Sequence, residues 1–492
     1  MKQLNIHAIL SILGTFFLIE AVAILLCGIA SLLYNESILP ILYAAGITTI
    51  CGALLHFAFR KNNKEIGKRE GYVIVSTVWI FFSIFGSLPF IFSNAIPSFA
   101  DAFFETMSGF TTTGASVLTD IESVSKGILL WRSTTQWLGG MGIIVLSLAI
   151  LPMLGIGGMQ LYSAEVPGPT KEKIHPKVKD TAQRLYAIYL FFTLGEIMLL
   201  MFGGMNLFDS INHAFTTMAS GGFSTYNASL AHASPYIQYV ITLFMFIAGV
   251  NFTLSYFALH GKFRIIWKNE EFRNYLSILV TFSLFITGII LLHAIRTNAD
   301  TIISFTRVEH TFRDALFQVV SLVTTTGFVS ADYLQWPPLV IVLCFALMFF
   351  GASAGSTAGG IKVVRLVLLA KHSYLEFKRL IHPNAIIPVR LNKITVSEKI
   401  ITNVLAFIVI YIVIYMLGVI IMSALGYDLE TSLGAVVATL GNVGPGIGKV
   451  GPVENYAFLS DSAKWVLSFF MLCGRLELFT VLILFSPAFW KK

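Results

Sequence analysis

Charge is what this chain has least of. Of its 492 residues, Asp, Glu, Lys and Arg make up 12%, about half the share a soluble protein needs to cover its surface. Cysteine is scarcer still. Cys27, Cys51, Cys344 and Cys473 sit singly in apolar segments, without CxxC or Cys/His spacing, so neither a disulfide framework nor a zinc site is expected. No HExxH motif is present. Gly448-Lys449 imitates the end of a phosphate-binding loop, but Val443 and Val450 stand where that loop needs glycine and Ser/Thr. Gly351-Ala-Ser353-Ala-Gly355 fits the hydrolase elbow G-x-S-x-G. That elbow requires an acid and a histidine at the same depth, and the next histidines, His372 and His382, lie in a basic loop. The chain is not expected to be an enzyme or to bind a cofactor.

What the chain has instead is apolar length. Hydrophobic residues form 56% of it. Ten apolar runs, roughly 8–33, 37–59, 71–94, 127–156, 185–207, 236–259, 275–295, 337–370, 400–425 and 463–489, are each long enough to cross a ~30 Å hydrocarbon core. The first is too long for a secretion signal and reads as a retained span. The loops between runs alternate in charge. One set (Lys2, Arg60 to Arg69, Lys171 to Arg184, Lys262 to Arg273, Lys362 to Lys399, Lys491 and Lys492) holds 25 of the 33 basic residues. The other set holds Lys126, Arg132, Arg296, Arg307, Arg313, Lys449 and Lys464. Basic loops remain cytoplasmic, which predicts both termini on that side. The net charge of +7 is then a topology signal and calls for no nucleic-acid partner. The basic face could still dock anionic lipid or an acidic protein.

Four loops on the less basic side carry a short apolar segment ending in a glycine turn: 98–110, 208–218, 312–323 and 429–438. Each is half a membrane long as a helix, ~15–20 Å. The turns align without gaps as Thr112-Thr113-Gly114-Ala115, Ser220-Gly221-Gly222-Phe223, Thr325-Thr326-Gly327-Phe328 and Thr439-Leu440-Gly441-Asn442. Their glycines are 108, 105 and 114 residues apart, the near-constant period of a fourfold repeat. Thirteen residues before each glycine stands an aspartate, Asp101, Asp209, Asp314 and Asp428. These are expected to be the half-helix N-caps.

Re-entrant backbone is tolerated in a bilayer only where it faces protein or a water path. Four half-helices around one axis aim their negative ends at its centre and favour a cation. The turns could line a constriction with carbonyls and hydroxyls that replace an ion's water. The plainer alternative is that Gly and Thr serve helix packing; it does not explain their shared position after a half-length helix. A coupled carrier with a midplane site is the rival transport reading, although carriers usually show two repeats rather than four.

The segments TTTGAS, ASGGFST, VTTTGFVSADY and ATLGNVGPGIG resemble the filter segments of the TrkH/TrkG/KtrB/HKT superfamily of potassium transporters, and of its TrkH branch in particular. The resemblance covers nearly the whole chain. It implies an all-α polytopic membrane protein with two N-terminal transmembrane helices (1–66) and four pseudo-symmetric pore repeats: 67–180, 181–270, 271–395 and 396–492. It implies K+ uptake across the bacterial inner membrane, with K+ held only by the sixteen filter residues of the four turns. All four glycines are present, the pattern the superfamily associates with K+ selectivity; the serine of some Na+-preferring plant relatives is absent. The fourth turn departs most, with Leu440 and Asn442 beside its glycine.

The eighth apolar run contains Gly351-Ala-Ser-Ala-Gly355-Ser-Thr-Ala-Gly359-Gly360, too glycine-rich for a strong helix. Alone, it fits either close helix packing or a break lining the pathway; the resemblance makes it an intramembrane gate. Arg475 lies inside the last span, where an arginine faces a cavity or a partner. A buried ion pair would also account for it; the resemblance makes it a barrier within the pore. Glu477 is poorly placed to partner it, and Glu20 and Glu196 are expected to face protein. The resemblance further implies a homodimer with a pore in each subunit and a cytoplasmic, nucleotide-binding TrkA-like regulator on the basic face.

Overall fold

The computed structural model describes residues 4–59, 67–145, 175–297 and 304–490. The end of the fourth apolar run, with Lys171 and Lys173 of the basic set, lies outside them. Among the described residues the regular structure is helical, apart from two pairs of two-residue strands. Helices α1 (Ile6–Leu33) and α2 (Leu39–Phe59) form an antiparallel N-terminal pair. Gly14 and Gly52 sit where they cross, and a Cβ on Gly14 would come within 2.7 Å of the Gly52 carbonyl, the small-residue contact by which membrane helices approach.

Four units follow. The first is α3 (Lys68–Gly86), half-helix α4 (Phe99–Phe110) and α5 (Lys126–Val145). The second is α6 (His175–Phe202), half-helix α7 (Leu207–Met218), then α8 (Pro235–Gly249) and α9 (Phe252–Leu259). The third has α10 (Glu270–Thr297), α11 (Phe305–Val323), α12 (Pro338–Leu347) and α13 (Val363–Ile381). The fourth has α14 (Glu398–Ala424), half-helix α15 (Leu429–Leu440), α16 (Asp461–Arg475) and α17 (Phe479–Leu482). Leu284, Ile420 and Phe202 on the long helices are more than half exposed, whereas the half-helices are almost wholly buried. Apolar side chains outside and polar turns inside suit a lipid solvent.

Not every apolar run is a straight span. Among the described residues, six helices are long and apolar enough to cross a bilayer. The run 236–259 bends by 112° between α8 and α9, and the last run bends by 111° between α16 and α17. At the first bend, Asn251 caps α9 by accepting from the Thr253 N–H at 2.8 Å. At the second, Glu477 and Leu478 both take left-handed backbone, φ 56° and 55°. The run 337–370 is divided between α12 and α13 by a loop whose ends, Phe350–Gly351 and Ile361–Lys362, pair as parallel strands.

A ring of four turns and the loop beneath it

The three half-helices and the longer α11 end alike. Helix α4 closes with Thr112 N–H on Gly109 O at 2.9 Å and Thr113 N–H on Ser108 O at 2.8 Å. The same pair of bonds closes α7 (Ser220 to Thr217, Gly221 to Thr216), α11 (Thr325 to Leu322, Thr326 to Ser321) and α15 (Asn442 to Thr439, Val443 to Ala438). This is a Schellman cap, whose first residue past the helix cap adopts left-handed backbone. Here those residues are Thr112, Ser220, Thr325 and Asn442, with φ between 52° and 56°. Two residues on, Gly114, Gly222, Gly327 and Gly444 take φ of 83°, 72°, 80° and 97°.

The caps correct the fourth alignment by three residues. Thr439 and Leu440 are the last turn of α15, and Gly441 is its cap with φ −79°, the place held by Thr111, Ala219 and Thr324. The fourth turn is Asn442-Val443-Gly444-Pro445. The same slip misplaced the caps. Only Asp428 is an N-cap, accepting from Thr431 N–H at 3.0 Å. Ser98 and Asn206 cap α4 and α7, which puts Asp101 and Asp209 three residues inside. There they still face the positive helix end. Helix α11 is capped by Ser304, so Asp314 lies in its interior.

The turns meet in a closed circle. A Cβ on Gly114 would strike the Gly221 carbonyl oxygen, one on Gly222 the Thr326 oxygen, one on Gly327 the Val443 oxygen, and one on Gly444 the Thr113 oxygen. Each repeat thus seats its glycine on the carbonyl of the next, and the fourth returns to the first. Backbone this close, with φ in the left-handed region, admits only glycine. All four glycines open onto one vestibule, whose wall includes Ser224, Asn227 and Glu454.

Side chains behind the ring hold it. Gln136 donates from Nε2 to Gly221 O at 2.6 Å and accepts from Phe223 N–H at 3.1 Å. Tyr456 and Tyr333 donate to Gly444 O and Gly446 O at 2.7 and 2.6 Å. The Ser321 hydroxyl donates to Phe328 O at 2.7 Å, and the Ala115 side chain is buried. Arg132 pairs with Glu105 at 2.7 Å, donates to Ser224 O at 2.9 Å and stacks 3.6 Å from the Phe223 ring centre. Arg132 is 3% exposed and Glu105 fully buried, so neither is a loop charge. Lys464 and Arg313, from the same sequence set, are also buried in ion pairs, with Asp101 and Glu309. Removing one member of such a pair strands the other: Arg132→Met is expected to cost about 3–5 kcal/mol of stability, and the double change with Glu105→Leu far less. Thermal unfolding of the detergent-solubilised proteins tests this.

On the side of the ring away from the vestibule lies the loop 351–360. Gly351 belongs to the strand pair, Gly355 and Gly360 take φ of 74° and 62°, and Gly359 abuts Gly441 and Asn442. Thr357 Oγ1 is 2.9 Å from Ser220 Oγ and 3.0 Å from Met218 O. Gly359 N–H donates to Thr325 Oγ1 at 2.7 Å. Arg475 donates to Thr357 O at 2.7 Å and, on the first repeat, to Gly139 O at 3.0 Å. Its partners are therefore carbonyls; Glu477 pairs with Arg365 at 2.5 Å instead. Glu20 and Glu196 are buried against protein. The loop is fixed from behind by Asn251 Nδ2, which donates to Ala354 O at 2.7 Å, and by Glu271, which accepts from Ala354 N–H at 2.6 Å. No local sequence signal marks these two, because their partner is over 80 residues away.

The chain matches the TrkH family, described as cation transport proteins, over residues 40–492. It is 39% identical to the Trk system potassium uptake protein TrkH of Salmonella typhimurium, over 99% of this chain and all of the relative. It is 32% identical to the Trk system potassium uptake protein TrkG of Escherichia coli, over the full length of both. The crystal structure of the potassium transporter TrkH from Vibrio parahaemolyticus superposes with a TM-score of 0.90 at 37% identity, covering 99% of this chain and 100% of that one. With the fold, the fourfold ring and the match over nine-tenths of its length in agreement, the chain belongs to the TrkH family of cation transport proteins.

Proposed function

We propose that this chain is the K+-conducting subunit of a potassium uptake system, passing K+ through one central pore whose selectivity filter is the ring of four turns. The observation that carries the reading is the closed circle of glycines and carbonyls. Transferring a bare ion to low dielectric costs on the order of 20 kcal/mol by an idealised estimate, and four converging turns can supply oxygens in place of its water. The filter comprises Thr112 to Ala115, Ser220 to Phe223, Thr325 to Phe328 and Asn442 to Pro445. The loop 351–360 is the gate, and Arg475 a positive barrier on its path. The protein works in the bacterial inner membrane with both termini cytoplasmic, as a homodimer with a pore in each subunit, under a TrkA-like regulator. Its task is transport, with K+ as cargo and no reaction catalysed.

Ion flux through purified protein in liposomes tests this. A pore gives rapid uptake that follows the K+ gradient and falls sharply when Na+ replaces K+. Slow flux that saturates at low turnover would indicate a carrier, and equal K+ and Na+ flux would remove the filter assignment.

A further inference from the structure

Ala354, within the loop 351–360, is held from two sides by one stretch of chain. Its carbonyl accepts from Asn251 Nδ2 at 2.7 Å, and its N–H donates to Glu271 at 2.6 Å. Neighbouring backbone repeats the grip: Ser353 N–H donates to Gly249 O at 3.0 Å, and Phe252 N–H to Gly355 O at 3.2 Å. Residues 251–271 therefore form a strap with both roots on the loop. Between the roots run α9, a left-handed turn at Gly261 (φ 71°) and a short helix, Phe263–Lys268. At the tip of this strap Phe263, Ile265 and Trp267 are 58%, 42% and 59% exposed, with Lys262, Arg264 and Lys268 exposed beside them. Among the described residues no acid pairs with any of these three cations. The nearby acids, Glu270 and Glu271, are engaged by Lys371 and Ala354. A single residue separates the tip from α10, which is long and apolar enough to cross a bilayer, so the tip stands at the level of the lipid headgroups. Aromatic rings and cations together at that level anchor a chain in the interface. Six residues are too small a face for a protein partner, which needs about 20–30 residues a side.

We propose that this tip binds the phosphate headgroups of anionic phospholipid in the cytoplasmic leaflet, and that the bound lipid holds the loop 351–360 shut through the strap. This rests on the pore reading and the orientation proposed above, and adds a lipid-dependent control of the gate. As the strap stands, both bonds to Ala354 are made while the three cations lie at the surface. Anionic headgroups favour that arrangement, because a ligand stabilises the state it binds better. For the loop to leave its place beneath the ring, Ala354 must part from Asn251 and Glu271, or carry the strap with it and draw the tip off the headgroups. Each cation near an anionic surface strengthens association roughly fivefold. The coupling is reciprocal, so an open loop loosens the lipid.

The experiment compares basal K+ flux of the full-length chain in vesicles of phosphatidylcholine and of equal parts phosphatidylcholine and phosphatidylglycerol, with thermal unfolding to verify that each variant folds. The wild type is expected to leak at least about fivefold less in the phosphatidylglycerol vesicles. The triple variant Lys262→Gln, Arg264→Gln, Lys268→Gln meets the same surface potential and should show no such fall. Quenching of Trp267 fluorescence, taken as the difference between wild type and Trp267→Phe, reads the binding itself. Brominated phosphatidylglycerol should quench it more than brominated phosphatidylcholine does, and the triple change should erase that preference. Asn251→Ser keeps a capping oxygen but is too short to reach Ala354 O; it should keep the quenching preference yet leak in both vesicles. Equal quenching by the two lipids, or a fall in leak that the triple variant shares, overturns the inference while the pore stands. No K+ flux from the wild type in either vesicle overturns the pore reading instead, and the quenching still decides the lipid site.

Discussion

Replacing Gly444 by alanine is expected to destroy discrimination between K+ and Na+, while the same change at Gly441 leaves it intact in the protein that folds. Gly444 has φ 97°, and a Cβ there would lie 2.6 Å from Thr113 O and 3.0 Å from the Gly114 carbonyl carbon. The methyl must push the first repeat's strand outward, and the ring admits no compensating shift because each turn rests on the next. Gly441 has φ −79°, open to any residue, and its Cβ would meet Val437 O at 2.8 Å and Met348 O at 2.9 Å. Its only contact with the fourth turn would be the Val443 side chain at 3.3 Å, so substitution disturbs packing and lowers yield while leaving the ring's backbone in place. Reversal potentials with K+ on one side and Na+ on the other separate the two. Gly444→Ala should lose at least tenfold of the selectivity ratio, equivalent to about 1.4 kcal/mol. Selectivity lost in Gly441→Ala and kept in Gly444→Ala would restore the gap-free alignment.

That alignment failed for a physical reason. Three residues are nearly one turn of helix, so Gly441 at the cap and Gly444 in the turn both suit a half-helix followed by glycine. Asp428, which belongs with Ser98 and Asn206 as a cap, stood at the spacing of Asp101 and Asp209 and made the slip look consistent. Val443 hid the true register, because it is aliphatic where the first and third turns carry Thr113 and Thr326. The first three turns were legible because Thr-Gly and Gly-Gly cannot easily extend a helix. What the sequence could not carry was distance across repeats. Arg132 reads as a loop charge until the fold brings Glu105 to it, and Gln136 and Tyr456 are ordinary span residues until a turn rests against them. The bends in the second and fourth units were hidden likewise, since an apolar run has the same composition bent or straight.

Arg475→Ala is expected to produce the largest rise in basal K+ flux of any single change in this chain. On the pore reading proposed above, the side chain acts in two ways. Its charge repels a cation with up to about 4 kcal/mol at 4 Å and an effective dielectric of 20, a ceiling near 10³ in rate. Its two hydrogen bonds, to Thr357 O and Gly139 O, also tie the loop to the first repeat. Arg475→Lys separates the effects, because an ammonium keeps the charge but lacks the planar fork that spans two carbonyls. Hydrogen bonds from a charged donor are worth about 1.5–3 kcal/mol, so loss of one should raise flux roughly 10–100-fold in the lysine variant, with alanine above that. Flux into liposomes, measured with the chain alone, orders the three proteins. Equal leak in lysine and alanine variants would make Arg475 a tether and nothing more; no leak in either would mean that closure depends on neither the charge nor the tether.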